Sequence, residues 1–448
     1  MLSILYAFCS YGADLSLGRI PFLIFSLFVS IMYLILYRRD RLFCFETIFL
    51  FLFVLTSYFN EIIINNLLDT STVLAAYFNA SFSDHIENKG ILVNTIALVA
   101  FLLAATRVNE NKHYIQSNDS FIINRDLSLN VSILSVVVGL YVLYLGYSGY
   151  ISSWFRYTDS ASNYSNSKLV NLSAFLLVLT ALEFSQLSSE NCSSFKDFLK
   201  KVNKVYLAEM LLVSGLLLIS GNRNECLLIL FPMIICYYIF IKPFNNKQFI
   251  VFLLAGITVM IVIGLTRNSG SLDSIESINL YDMTRDFCFV DNNTKYLIEY
   301  ADDGGMIGFK NAFIALFSSI PYLGGLVVGA FGLTNTIRTT EITTQGMQLL
   351  DNMDSGLGTS LIGDLYCTGG FLFTLLFMYF LGWLIASLDR QFTFEKKYNI
   401  WALIIYLFMF SNVVYYIRAE WTMPFRYIGF SFTILFVLLL FQPHKKSI

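Results

Sequence analysis

Charged residues are scarce in this sequence. Asp, Glu, Lys and Arg make up 13% of the 448 residues, whereas a soluble domain carries about 25%. Hydrophobic residues make up 56%, and the mean hydropathy is +0.65. This composition excludes an ordinary soluble domain and predicts a chain that crosses a membrane many times. The net charge of −2 gives no reason to expect a nucleic-acid partner.

Residues that bind metals or form disulfides are few or poorly placed. The three histidines, His85, His113 and His444, are scattered, and none of the seven cysteines forms a C-x-x-C pair. We therefore expect no metal site, no disulfide framework and no cofactor. The segment Met1–Ser10 lacks a charged n-region and a clear cleavage site, so we also expect no cleavable signal peptide.

Apolar segments occupy most of the chain, and a membrane span needs about 20 mostly apolar residues. The candidate spans cover residues 20–37, 42–60, 89–106, 129–149, 168–187, 205–220, 226–241, 248–265, 359–386, 400–417 and 426–441. A shorter apolar segment at 2–12 leaves the number open by one. The sequence thus predicts an all-α integral membrane protein, a polytopic helical bundle of about 11–12 transmembrane helices.

One long interruption, from Thr266 to Gly358, separates the last three spans from the rest. A loop of more than about 15 residues is usually functional or disordered. Apolar runs at Phe313–Phe317 and Tyr322–Phe331 argue against disorder, so we interpret the segment as a folded cap over a membrane-embedded site. N-terminal transmembrane helices, this cap and C-terminal transmembrane helices are then expected at residues 1–265, 266–358 and 359–448.

The positions of the basic residues predict the orientation of the chain in the membrane. Clusters such as Arg38-Arg39-Asp40-Arg41, Lys196–Lys204 and Arg390–Lys397 lie on alternate connections. The positive-inside rule makes that face cytoplasmic, and the cap is therefore expected on the periplasmic side.

The face with the cap carries seven arginines, although the insertion bias disfavours them there. They are Arg156, Arg223, Arg267, Arg285, Arg338, Arg418 and Arg426. A buried arginine costs about 2.5–3.5 kcal/mol on translocon scales, so we interpret these side chains as needed for function. A planar fork of donors suits phosphate and pyrophosphate better than a lysine ammonium does.

Each arginine also has a simpler explanation when it is taken alone. Arg223 starts a helix after a short link, where it either adds to an anion site at the helix N-terminus or snorkels as an anchor. Arg285 and Asp286 either bind substrate or pair with each other. Arg418 and Arg426 flank the last outer turn, whose aromatic residues also fit an ordinary membrane belt.

Glycines and a carboxylate open the ninth span. Gly356 and Gly358 allow the backbone to approach a ligand closely. Asp364 is expected about one turn inside the membrane, where a carboxylate is either functional or a hydrogen-bonded structural group. Arg156, after the fourth span, and Arg267, at the end of the eighth, are further candidates for substrate binding.

Taken together, these motifs resemble the O-antigen polymerase (Wzy) family, which includes the enterobacterial common antigen polymerases. The resemblance spans most of the chain. It is carried by Gly221-Asn222-Arg223, Leu265-Thr266-Arg267, Met283-Thr284-Arg285-Asp286, Ser355–Gly370, Arg418 with Arg426, and Phe155-Arg156-Tyr157.

The resemblance implies a multispanning inner-membrane glycosyltransferase of the GT-C type. Such an enzyme joins undecaprenyl-pyrophosphate-linked repeat units into O-antigen or a related surface polysaccharide at the periplasmic face, without a metal, and a chain-length regulator protein is an expected partner. The catalytic candidates are then Arg223, Arg285, Asp286, Arg418 and Arg426, and the substrate-binding candidates are Arg156, Arg267, Gly356, Gly358 and Asp364.

The general base and two rival functions stay open at this point. Asp286 is favoured as the base because it adjoins Arg285, and the other candidates are Asp302, Asp303, Asp364, Glu420 and His85. An O-antigen ligase would share the chemistry and differ in the acceptor. A lipid-linked oligosaccharide flippase would place its cations deep in a central cavity and keep its loops short, so the long cap and the one-sided arginines favour the enzyme.

Overall fold

The computed structural model describes residues 19–39, 41–58, 82–110, 127–153, 167–189, 192, 194–219, 223–251, 254, 256, 258, 280–320, 323–332, 338–351, 358–395 and 398–440. No strand occurs among these residues. The helices before residue 241 are α1 (Arg19–Tyr33, continued by a π-helical turn at Leu34–Arg38), α2 (Phe45–Ser57), α3 (Asp84–Glu110), α4 (Ser128–Tyr147), α5 (Tyr150–Ser153), α6 (Ser167–Ser189), α7 (Phe195–Lys201), α8 (Lys204–Ile219) and α9 (Arg223–Phe240). The later helices are α10 (Leu280–Asp302), α11 (Lys310–Ser318), α12 (Leu323–Ala330), α13 (Thr339–Asp351), α14 (Leu361–Thr393), α15 (Ile400–Ser411), α16 (Val413–Tyr416) and α17 (Met423–Leu440).

Six helical segments in the described part are long and apolar enough to cross a membrane. They are Pro21–Arg38, Asp84–Glu110, Ser128–Tyr147, Lys168–Ser188, Leu361–Thr393 and Met423–Leu440. The bent pair α7–α8 is a further candidate with an angle of 104° between its helices, and Phe45–Ser57, Glu225–Phe240 and Ile400–Ser411 are shorter apolar helices. The all-α, multi-pass architecture is thus confirmed. The expected segment at 2–12 and most of that at 248–265 lie outside the described residues.

The described helices pack in two neighbouring groups. In the first, α14 runs along α3, and α1, α2 and α10 pack around this pair. In the second, α6 contacts α4, α9, α15 and α17, while α8 packs on α9. Contacts of α14 with α15 and of α16 with α2 join the groups. The last two spans therefore belong to a different group from α14, which precedes them.

A break divides α14 into two parts. Gly369 has φ −151° and ψ 20°, and Gly370 has φ 68°, a left-handed value that a residue with a side chain adopts only with strain. Every residue from Leu361 to Thr368 is buried, whereas Leu372 and Leu376 beyond the break are exposed. The helix thus begins as a short segment inside the protein and continues as a long span with an apolar outer face.

Helix α10, from the expected cap, packs directly against the membrane helices α14, α3 and α2. Its five consecutive polar residues Asp291–Lys295 are all about 1% exposed. At its end, Asp302 forms an ion pair of 2.6 Å with Lys89 of α3 and accepts a hydrogen bond of 3.1 Å from the hydroxyl of Tyr366. This part of the expected cap is therefore anchored in the bundle by polar contacts.

Near the C-terminal end of α14, four charged side chains form a largely buried network. Arg38 and Asp389 are 2.9 Å apart, and Arg38 also pairs with Glu46, with all three side chains at most 1% exposed. The hydroxyl of Tyr406 donates to the second oxygen of Asp389 at 2.9 Å, and Arg41 lies 3.8 Å from that oxygen. The network ties the loop after α1 to α2, α14 and α15.

Loss of Asp389 should destabilise this end of the bundle. Burial disfavours the charge of Arg41, but Asp389 and Tyr238 outweigh burial and raise the pKa of Arg41 above its ordinary value. Asp389→Ala would remove one of the two carboxylate partners of the buried Arg38 and the carboxylate that faces Arg41. Breaking a buried pair in this way costs about 3–5 kcal/mol. We expect a marked fall in the melting temperature in detergent. Asp303→Ala, which removes an exposed carboxylate, is the control, and equal melting temperatures for the two variants would contradict the account.

Candidate functional site

The turn between α16 and α17 lies against the start of α14. The backbone N–H of Leu361 donates to the carbonyl of Ile417 at 2.9 Å. Ser360 caps α14 by accepting from the N–H of Gly363 at 2.9 Å, and the hydroxyl of Thr294 in α10 donates to Ser360 at 2.7 Å. The start of α14 is therefore fixed both to the last turn of the chain and to α10.

Asp364 connects three segments of this region. One of its carboxylate oxygens accepts a hydrogen bond of 2.8 Å from the hydroxyl of Thr339, and the other accepts one of 2.7 Å from the backbone N–H of Trp421. The indole N–H of Trp421 donates to Thr368 at 3.1 Å, one turn further along α14. Asp364 is only 4% exposed, so its carboxylate holds the start of α13 and the last turn in place.

Glu420 holds an arginine at the same place. A guanidinium nitrogen of Arg338 lies 3.0 Å from one carboxylate oxygen of Glu420, and the hydroxyl of Thr340 donates to the other at 3.1 Å. Arg338 is 62% exposed, whereas Glu420 is 10% exposed. The carboxylate therefore orients a guanidinium that faces outward from the protein.

Arg418 and Arg426 lie beside this pair. Gly358 has φ +73°, and a β-carbon placed on it would be 3.8 Å from a terminal nitrogen of Arg418, so the backbone passes close to that guanidinium. The Nε atom of Arg426 is buried and has no hydrogen-bond partner in the described part of the chain. Arg338 is among the charged neighbours of Arg426. We call Arg338, Arg418 and Arg426 the arginine cluster.

A cavity of about 90 Å³ adjoins the cluster, between α6, α9, α15–α16 and α17. Its polar lining comprises Glu225, Ser411, Asn412, Tyr415 and Tyr427. The charged neighbours of Tyr415 include Arg418, Glu225, Glu420 and Arg338. Tyr415 thus stands between the cavity and the arginine cluster.

Four of the ten site residues predicted from the sequence come together here, namely Arg418, Arg426, Gly358 and Asp364. Arg223 begins α9, two positions before Glu225, and Arg285 and Asp286 lie in α10. The side chains of these three lie outside the described part of the structure, as do the whole residues Arg156, Arg267 and Gly356. Their predicted roles stay predictions.

The candidates for the general base are in different surroundings. Asp302 is paired with Lys89 and Tyr366, Glu420 with Arg338 and Thr340, and Asp364 accepts two hydrogen bonds. Asp303 and His85 are exposed. Asp302, Glu420 and Asp364 are therefore all engaged in holding other residues.

Sequence reasoning missed several residues of this region. Arg338 was one of the seven arginines on the face with the cap but was not predicted as a site residue. Glu225 and Asn412 were not predicted as site residues either. Glu341 gave a local signal for a helix start, because its side chain accepts from the backbone N–H of Arg338 at 3.3 Å, as the glutamate of a capping box does. That pattern places Arg338 at the start of α13 but does not indicate its distant partner Glu420.

A sequence model of the family described as O-antigen polysaccharide polymerase Wzy matches residues 1–446. Comparison with curated proteins and comparison with solved structures find no match. The match covers essentially the whole chain, including all the helices that build the site described above. The chain therefore belongs to the O-antigen polysaccharide polymerase Wzy family.

Proposed function

We propose that the chain transfers a growing polysaccharide from undecaprenyl pyrophosphate onto the sugar of an incoming lipid-linked repeat unit. Family membership indicates an O-antigen repeat-unit polymerase. The observation that carries the finer proposal is the arginine cluster: Glu420 holds Arg338, Arg418 lies at Gly358 just before α14, and Arg426 has Arg338 among its charged neighbours. Three guanidinium groups in one place suit a ligand with two phosphates.

In the proposed reaction, the acceptor hydroxyl attacks the anomeric carbon and the pyrophosphate leaves. Negative charge then develops on the leaving oxygen, and preorganised donors aimed at it lower the barrier. Glu420 holds Arg338 in position, Gly358 keeps the backbone close to Arg418, and Arg426 has a buried Nε donor with no partner in the described part. Guanidinium groups of this kind would neutralise the leaving group without a metal ion.

The same proposal extends to other predicted residues, because the helices on which they lie contact the site. Arg223 starts α9, whose Glu225 neighbours Tyr415. Arg285 and Asp286 lie in α10, whose Thr294 contacts Ser360. With a helical rise of 1.5 Å per residue, the backbone of Arg285 is about 13 Å from that of Thr294. We propose that Arg223 and Arg285 also contact the pyrophosphate, and that Arg156, Arg267 and Gly356 contribute to substrate binding.

We further propose that the chain lies in the bacterial inner membrane, with a GT-C-like bundle and with residues 266–358 on the periplasmic side. The alternating basic clusters support this orientation. Single cysteines at the exposed positions Asp303 and Lys200 test it in a cysteine-free background. A membrane-impermeant thiol reagent applied to spheroplasts should label position 303 and spare position 200. The reverse labelling would contradict the orientation.

Two rival functions are distinguished by the lipopolysaccharide of cells that lack the protein. Loss of a polymerase should leave lipid A–core bearing a single repeat unit, because the ligase and the flippase still act. Loss of an O-antigen ligase or of a lipid-linked oligosaccharide flippase should leave core without any repeat. A ladder of normal length in these cells would contradict all three functions.

A chain-length regulator protein is the proposed protein partner. It is proposed to act on the extent of polymerisation and not on the bond-forming step. Deletion of such a regulator should therefore broaden the distribution of chain lengths while polymer is still made. Abolition of all polymer would contradict this division of roles.

A further inference from the structure

The cavity next to the arginine cluster is small and partly polar. Its volume is about 90 Å³, which is enough for several water molecules, because one water needs at least about 10–15 Å³ of such space. One edge of a sugar ring with its hydroxyl groups needs a space of this order. The leucines Leu169, Leu227 and Leu228 form one part of the wall, so a polar ligand atom can bind only along the other part.

Two hydrogen-bond acceptors stand in this wall. Asn412 is 1% exposed, and its side-chain nitrogen donates to the carbonyl of Phe408 at 2.9 Å. Its side-chain oxygen is buried and has no hydrogen-bond partner in the described part of the chain. Buried acceptors of this kind are rare in native proteins, because burial without a partner is unfavourable. The carboxylate of Glu225 is the second acceptor and lines the same cavity.

The chemistry of the lining selects the kind of group that can enter. The side-chain oxygen of Asn412, unpartnered among the described residues, needs a donor from the ligand, and the two oxygens of the Glu225 carboxylate offer further acceptor sites. Sugar hydroxyl groups supply donors and can also accept from the tyrosine hydroxyls of the lining, whereas a phosphate supplies acceptors and negative charge. Glu225 would repel a pyrophosphate, which the arginine cluster would attract. The cavity and the cluster are therefore suited to different parts of the two substrates.

The cavity and the arginine cluster have two tyrosines as common neighbours. Glu225 and Arg418 are both neighbours of Tyr415, and Glu225 and Arg426 are both neighbours of Tyr427. Each tyrosine thus lies within electrostatic range of the carboxylate of the cavity and of one guanidinium of the cluster. A hydroxyl held at Glu225 and a pyrophosphate held by the arginines would therefore be in the same region of the protein.

We propose that the cavity binds the hydroxyl-bearing edge of the acceptor sugar through Asn412 and Glu225, and that Glu225 is the general base of the transfer. This assignment rests on the polymerase function proposed above. The acceptor oxygen forms a bond to the anomeric carbon of the donor, and its proton passes to the Glu225 carboxylate. The bond between that carbon and the pyrophosphate oxygen breaks, and its electron pair leaves on the pyrophosphate. Glu225 then releases the proton to solvent.

The assignment replaces Asp286, which the sequence favoured as the base. Glu225 also follows Arg223 by two positions at the start of α9. The first turn of one helix would then supply both a base for the acceptor and a cation for the donor.

The test uses the full-length protein in nanodiscs with purified lipid-linked single repeat units as the acceptor and a lipid-linked oligomer as the donor. General-base catalysis contributes about 10²–10⁴-fold to a rate. Glu225→Gln should therefore lower kcat at least about 100-fold while donor binding and the melting temperature stay unchanged. Glu225→Asp keeps the carboxylate on a shorter side chain and should restore part of kcat. Asn412→Leu should raise the acceptor KM by about 3-fold to 10-fold, the worth of one hydrogen bond.

Glu299→Gln is the matched control, because Glu299 is a part-buried carboxylate of α10 outside the cavity. Its kcat and KM should equal those of the unaltered protein. Polymerisation by Glu225→Gln at the unaltered rate would overturn the assignment of Glu225 alone. Loss of donor binding or of thermal stability in that variant would give Glu225 a structural role and would also overturn it. No polymer from the unaltered protein would refute the polymerase function itself, and the assignment with it.

Discussion

Arg418→Lys should remove most of the polymerising activity even though the positive charge is kept. Arg418 is part-buried, and the backbone at Gly358 lies close to its guanidinium, so its planar fork of donors has a defined position. A lysine ammonium in the same place cannot make a bidentate contact with a phosphate. Removal of one well-placed donor to a developing negative charge costs about 10²–10³-fold in kcat. We therefore expect short or absent polysaccharide chains on a gel and at least about a 100-fold lower rate with purified protein.

Arg390→Lys is the matched control for this variant. Arg390 is also part-buried and paired, with Glu395 at 2.8 Å, but it lies near the C-terminal end of α14, far from the cluster. Its replacement by lysine should leave the chain-length distribution unchanged. If Arg418→Lys made full-length polysaccharide at a normal protein level, Arg418 would be only a membrane anchor.

Asp364→Asn should lower kcat without unfolding the protein. Both oxygens of Asp364 accept hydrogen bonds, one from Thr339, which follows Arg338 in the chain, and one from Trp421, which follows Glu420. An amide offers one acceptor oxygen and one donating NH2 group, so the contact with Thr339 must reverse its direction and the nearby arginines shift. A displacement of about 1 Å can cost about 100-fold in rate. We interpret Asp364 as a positioning residue, and we expect about that loss in kcat for each folded molecule.

Asp389→Asn separates this effect from simple destabilisation. Asp389 is an equally buried carboxylate in the same helix, but it belongs to the network of Arg38 and Glu46. Its variant should melt at a lower temperature and keep its kcat in the molecules that are folded. Thr339→Val, which removes one of the two donors to Asp364, should fall between the unaltered protein and Asp364→Asn. Equal kcat values for Asp364→Asn and Asp389→Asn would assign Asp364 to stability alone.

The membrane helices were predictable because apolar runs of span length are a local property of the sequence. Segment 89–106 corresponds to α3 and segment 168–187 to α6, with ends that differ by a few residues. The expected span at 359–386 corresponds to α14, which extends to Thr393, and Asp389 in this extension is paired inside the protein with Arg38. A prediction from hydropathy alone ends a span before such a carboxylate.

The partners within the site were not predictable, because they are far apart in the sequence. Asp364 was identified as an intramembrane carboxylate, yet Thr339 is 25 residues before it and Trp421 is 57 residues after it. Arg38 and Asp389 are 351 residues apart, and the local pattern around Arg38 indicated only a basic cytoplasmic loop. Such pairs follow from the packing of the helices, which a single sequence does not specify.

The most direct test of the proposed function is polymerisation by the purified protein, with lipid-linked repeat units as the only substrate and a chelator of divalent cations present. We predict a ladder of lipid-linked oligomers, with one undecaprenyl pyrophosphate released for each new glycosidic bond and a rate that the chelator does not lower. The arginine cluster is proposed to carry the charge of the leaving group, which is why no cation should be required. Unchanged substrate, or a reaction that stops on chelation and resumes with added metal, would contradict this account.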